Sequence, residues 1–185
     1  ASCTALTSLG LGGCDQITDI SPLASCTELT SLDLSHCHQI TNLNLLASCT
    51  TLTSLDLSHC HQITNQILST LAISLELTSL HLGGCYRITD LSPLGSCTAL
   101  TNLNLGRCLQ ITDLSPLASC TALTSLDLLG CDQITDQILS TLPVLPELTH
   151  LDLEDCDQIT DLSPLANHPT LSSLIGPNGD EVDLT

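Results

Sequence analysis

The chain reads as an α/β solenoid, a horseshoe with a parallel β-sheet on its concave face, short 3-10 or α turns on its convex face and about eight repeats. Three observations predict this. Leucines recur at a near-constant interval, a second motif recurs between them, and the residue alphabet is too narrow for an irregular core. There is no Met, Trp or Phe and one Tyr, while Leu and Ile dominate the apolar content. A globular interior mixes aromatic and aliphatic shapes to reach crystal-like density, whereas stacked identical layers are filled by one branched residue type.

Leu6, Leu29, Leu52, Leu77, Leu100, Leu123, Leu148 and Leu171 each open a copy, at spacings of 23, 23, 25, 23, 23, 25 and 23. In the first seven copies the unit reads LxxLxLxxCxxIT, as in Leu29, Leu32, Leu34, Cys37, Ile40 and Thr41, followed by DLSPLASCT or a variant. Leucines at the first, fourth and sixth positions send alternating side chains of a short strand inward, so successive strands pair in parallel. Ser21-Pro22, Ser92-Pro93, Ser115-Pro116 and Ser163-Pro164 suggest a capping serine hydroxyl ahead of a proline suited to a first helical turn. The two longer copies carry QILSTL at Gln66–Leu71 and Gln137–Leu142 instead, which predicts a longer helical turn on the convex side. The order 23, 23, 25 itself recurs, which points to duplication of a 71-residue block.

The motif LxxLxLxxCxxIT, with a second Cys before the next strand, resembles the cysteine-containing leucine-rich repeats of F-box adaptors. ITDLSPLA resembles the turn of internalin-type repeats, although Cys stands here where internalins have Asn. Together the two patterns cover nearly the whole chain, and they imply a horseshoe that binds proteins. We read residues 1–185 as one leucine-rich-repeat domain, with 176–185 as a closing segment after Leu171, Leu174 and Ile175. The depleted alphabet and the near-identity of copies two and three also fit an engineered or excised repeat segment, and with it the alternative of a structural or designed scaffold without a selected ligand. The first strand starts almost at Ala1 without a polar cap, so its edge is expected to be exposed, covered by further sequence or stacked on another molecule, a route to self-association.

The formal charge is -18, with 20 acids against Arg87 and Arg107. Nucleic acid is therefore an unexpected partner, since phosphate contacts need a basic surface, and no apolar run is long enough to insert in a membrane. The expected partner is a protein, with a basic one suited to the acidic end. Twelve cysteines fall into two registers. Equivalent Cβ atoms in such a stack lie roughly 4.8 Å apart, against about 3.5 to 4.5 Å in a disulfide. Buried free thiols are expected, which favours the cytoplasm or another reducing compartment. No CxxC pair supports zinc, no cofactor motif is present and no lone activated nucleophile stands out, so no metal, cofactor or enzyme activity is assigned.

Function is expected on the outward positions. One ladder comprises Gly10, Asp33, Asp56, His81, Asn104, Asp127 and Asp152; a second row holds His36, His59 and Arg107; a third holds Asp15, His38, His61, Tyr86, Leu109, Asp132 and Asp157. His36, His38, His59, His61 and His81 form a histidine-rich patch that suits a pH-sensitive contact or a shared transition metal, or simply reflects copying of LSHCHQIT. Asp127, Asp132, Asp152, Glu154, Asp155 and Asp157 form an acidic patch that suits a cationic partner or Ca²⁺, or simply keeps the solenoid soluble. Tyr86, Arg107 and Leu109 between them are the residue types around which a docking contact is expected. The candidate partner-binding residues are therefore His36, His38, His59, His61, His81, Tyr86, Arg107, Leu109, Asp127, Asp152 and Asp155.

Overall fold

A computed structural model of the chain describes residues 3–71, 77–140 and 145–183. Three-residue strands β1 (Ser8–Gly10), β2 (Ser31–Asp33), β3 (Ser54–Asp56), β4 (Ser79–His81), β5 (Asn102–Asn104), β6 (Ser125–Asp127), β7 (His150–Asp152) and β8 (Ser173–Ile175) form one sheet in chain order. Every neighbouring pair is parallel, and its register equals the leucine spacing, as in Leu32↔Leu55 and Leu55↔Leu80. The central Leu of each strand points inward because strand side chains alternate, and from Leu32 to Leu174 all seven are buried.

Convex 3-10 turns occupy Ser21–Ser25, Asn44–Ser48, Ser92–Ser96, Ser115–Ser119 and Ser163–Leu165. The longer copies carry helices instead, α1 (Asn65–Leu71) and α2 (Asp136–Ser140). Residues 141 and 142 of the second QILSTL segment lie outside the described residues. The serine hydroxyls do not cap these turns. Asp19 does it for the first, its Oδ1 accepting the Ser21 N–H at 2.8 Å and its Oδ2 accepting the Ser21 hydroxyl at 2.7 Å. Asp90, Asp113 and Asp161 accept the N–H of the following turns in the same way, and Asn42 does so for the turn without proline. A carboxylate two residues upstream reaches both donors with two oxygens, which a lone hydroxyl cannot do. These hydrogen bonds hold the Asp19 and Asp90 carboxyls below the ordinary aspartate pKa.

Two ladders lock successive layers together. Each threonine after the opening Leu donates its hydroxyl to the carbonyl of the equivalent threonine one layer back, from Thr30 to Thr7 at 2.9 Å through Thr149 to Thr124 at 3.0 Å. On the other side of the strand the buried thiols that follow it donate to a carbonyl of the preceding layer, as Cys37 does to Leu11 at 3.2 Å, Cys60 to Leu34 at 3.0 Å and Cys108 to Leu82 at 3.3 Å. All twelve cysteines are free, ten of them buried.

The end layers differ. Leu6, Leu9, Leu11, Cys14 and Ile17 pack against the core but are only partly buried, and a recess of about 420 Å³ lies among Leu9, Leu11, Ile17, Ile20 and Leu23. Beyond β8 the chain doubles back, with Gly176 N–H donating to the Asp180 carbonyl, Val182 N–H to Leu174, and Glu181 bridging antiparallel to Ile175.

Candidate functional site

The outward ladder on the strands is first of all structural. Asp33, Asp56, Asn104, Asp127 and Asp152 each turn an Oδ1 onto the backbone N–H two residues ahead, at 2.8 to 3.0 Å, and so hold the turn that follows the strand. Asp127 also accepts from the Asn104 amide. Burial, together with the nearby Asp152, outweighs the Leu129 N–H and His81 and raises the Asp127 pKa. Asp127 and Asp152 thus stand on the expected face with part of their hydrogen-bonding capacity already used. His81 occupies the same register position on β4 and supplies no such bond to Gly83.

Beyond the strand the chain turns through a left-handed residue just before the cysteine. Glycine fills that position at Gly13, Gly84 and Gly130, but His36, His59, Arg107 and Asp155 also adopt it, with φ of 57 to 59°. A non-glycine residue there costs about 1–2 kcal/mol. Four side chains are therefore held at the rim of the concave face against a local backbone preference.

Their rings form stacks. His36 lies over His59 with centroids 4.5 Å apart, and in the next row His38 over His61 and His61 over Tyr86, each at 4.8 Å. That spacing equals the strand separation, so equivalent rings on adjacent layers meet face to face by construction. His38 Nδ1 donates to the His59 carbonyl at 2.9 Å, and its Nε2 lies 3.9 Å from Asp15, an ion pair only when the ring is protonated. Burial first, then the neighbouring His36, His61, Arg107 and His38, hold the His59 pKa below the ordinary histidine value. Burial followed by His38 and His36 does the same for His61. Lone pairs of stacked imidazoles lie in the ring planes and do not converge between the rings. Among the described residues no group of three or more His, Cys, Asp or Glu is placed to hold a metal.

Tyr86 and Leu109 continue this row and, among the described residues, are the large hydrophobic side chains that stand exposed, at 39% and 41%. Of the expected residues, the structure thus joins His36, His38, His59, His61 and Tyr86 in one surface, continued by Arg107 and Leu109. It leaves His81, Asp127 and Asp152 on the strands and Asp155 two layers beyond Arg107. The expectation had omitted the glycines. Gly83 and Gly84 open a recess of about 220 Å³ with His59, Asn104, Arg107 and Leu129. LGGC and LGRC in consecutive copies were the visible signal.

Gly84 also lets His59 lie down, since a Cβ on Gly84 would fall 2.6 Å from His59 Nδ1, whereas one on Gly13 would meet nothing within 4 Å. Both have φ of 74°. Gly13→Ala is expected to cost only the backbone term, about 1 kcal/mol, and Gly84→Ala about 1 kcal/mol more. Adding His59→Ala should remove that excess, as read by denaturant midpoints in a double-mutant cycle.

An open, eight-layer stack of parallel strands with turns on one side and an unencumbered face on the other defines a repeat solenoid of the horseshoe type. The chain belongs to the leucine-rich-repeat proteins. The family model described as Leucine Rich repeats (2 copies) matches residues 4–48 and 76–119, and the model described as Leucine Rich repeat matches 48–72, 119–142 and 145–162. The crystal structure of internalin C2 from Listeria monocytogenes is similar at 36% identity and a TM-score of 0.72, over 91% of this chain and 70% of that one. TLR13, in its complex with ssRNA13, is 25% identical with a TM-score of 0.63, over 85% of this chain and 23% of that one. Rad7, in the yeast Rad7 and Elc1 complex, shares the fold at 21% identity and a TM-score of 0.66, over 84% of this chain and 43% of that one. Among curated proteins compared by sequence, none matches.

Proposed function

We propose that the chain is a non-catalytic protein-interaction module that binds its partner through the concave face and the rim of turns beside it. The observation that carries this reading is the row of left-handed His36, His59, Arg107 and Asp155 beside exposed Tyr86 and Leu109. Glycine serves the same turn elsewhere in the chain at no backbone cost, so side chains kept there at a cost are best explained by what they contact. The open face supports binding over catalysis, because a shallow surface excludes water poorly. The partner is a protein: TLR13 was solved with RNA, but this chain carries -18 charges and two arginines, and phosphate contacts depend on basic side chains. Ten buried thiols fit a reducing compartment.

The test is quantitative capture by the immobilised chain. Tyr86→Ala with Leu109→Ala is expected to reduce specific partner recovery at least about tenfold, the size of a hot-spot loss. The convex pair Ala24→Ser and Ala118→Ser should leave it unchanged. Equal recovery by both variants would overturn the reading.

A further inference from the structure

The third outward row is ordered by chemistry along the stack. From the first layer to the seventh it reads Asp15, His38, His61, Tyr86, Leu109, Asp132 and Asp157. Histidines fill the second and third layers and exposed acids the sixth and seventh, with a further exposed acid, Asp15, at the first, and the exposed hydrophobics stand at the middle. A two-fold axis lying in the contact plane parallel to the strands, and passing between the fourth and fifth layers, reverses the order of layers while each row still faces itself. Layer four then meets layer five, three meets six and two meets seven.

We infer that this rim is self-complementary and that its occupant is a second copy of this chain, laid antiparallel so that His61 and His38 face Asp132 and Asp157 and Tyr86 meets Leu109. The neighbouring row obeys the same operation. His36 meets Asp155, and Gly84, with the recess beside it, lies opposite Arg107 of the second copy. That arginine makes no ion pair among the described residues of its own chain, and Asp127 lines the recess it would enter. The contact runs six layers, roughly 24 Å at the strand spacing. The alternative axis, along the stack, pairs His with His and Asp with Asp and is repulsive.

The pairing is conditional on protonation. With neutral imidazoles the two copies repel through -18 charges each; protonated rings face carboxylates in four His–Asp pairs of the third row and two of the second. Within one copy the groups around these rings are the neighbouring imidazoles themselves, Asp15, Tyr86 and Arg107, and of these only Asp15 approaches as an ion-pair partner. Dimer affinity should therefore rise as pH falls, about tenfold per pH unit for each net proton taken up.

The inference rests on reading this rim as a docking surface, and its test separates the two. Sedimentation velocity of the intact chain in low salt should show monomer at about pH 8 and dimer at about pH 5.5, on the two sides of the ordinary histidine pKa. Asp132→Lys with Asp157→Lys, both exposed positions, should be monomeric at both. Mixed with His38→Asp plus His61→Asp, that variant should form a heterodimer already at about pH 8, since Lys–Asp pairs need no added proton. A wild type that stays monomeric at the lower pH, or an acid-induced assembly that Asp132→Lys and Asp157→Lys leave intact, overturns the inference. The second outcome would assign assembly to the partly buried first layer. Partner capture that depends on Tyr86 and Leu109 in a strictly monomeric chain would remove the second copy and leave the docking surface standing.

Discussion

A thiol reagent added to the native chain at about pH 8 should react rapidly with Cys3 and Cys14 and leave the other ten cysteines essentially untouched until the chain is unfolded. Cys3 is exposed and Cys14 partly so, while the ten that remain are buried. Burial pushes the Cys60, Cys120 and Cys156 thiols up to about 11 and Cys85 and Cys131 up to about 12. A thiol of that pKa is about a thousandth or less ionised at pH 8, and thiolate is the reactive form. Access multiplies the effect, so protection of several orders of magnitude is expected, read as a two-thiol burst followed by a phase with the rate of opening. A burst of many more thiols would mean that the S–H···O ladder is not formed. The same protection bears on oxidation, because a thiol pointing at the Leu34 or Leu57 carbonyl at 3.0 or 3.1 Å is not aimed at its neighbouring sulfur.

The repeat register was fully legible from spacing, because a fixed interval between inward leucines admits one parallel pairing. Leu9, Leu32, Leu55 and Leu80 pair as that interval requires. The longer α1 was legible as well, from two extra residues without proline. What residue types concealed was local hydrogen bonding. Asp19 and Asp33 look like surface charge in the one-letter string, yet each satisfies an N–H of a turn, and only backbone direction reveals it. The left-handed position was hidden for a different reason. Gly, His, Arg and Asp all occupy it, so no composition rule marks it, and the strain at His36 or Arg107 appears only as a dihedral. Ring stacking follows from the layer spacing, which sets His36 over His59 and His38 over His61, and it too shows only once the layers are placed.

Position within the stack should decide the energetics of chemically identical residues, and Leu80 and Leu9 provide the comparison. Both are the central leucine of a strand, but Leu80 is fully buried between Leu55 and Leu103, whereas Leu9 is only partly buried and pairs on one side with Leu32. Leu80→Ala removes methyl groups from a close-packed layer that neighbours on both sides hold in place, which costs about 3 kcal/mol within the usual range of about 2–5. For a chain of this size that is a melting-point drop of roughly 6–12 °C. Leu9→Ala gives up less transfer free energy and leaves a dent open to solvent, for about 1 kcal/mol or less. Because a solenoid's stability is close to a sum over layers and their interfaces, loss at the fourth layer also weakens coupling between the two halves, and the melting transition should broaden for Leu80→Ala but not for Leu9→Ala. Equal costs at the two sites would show that the first layer is covered in solution, by a molecule stacked on the recess among Leu9, Leu11 and Leu23; repeating the Leu9→Ala measurement across a hundredfold range of protein concentration would then expose that contact as a concentration-dependent midpoint.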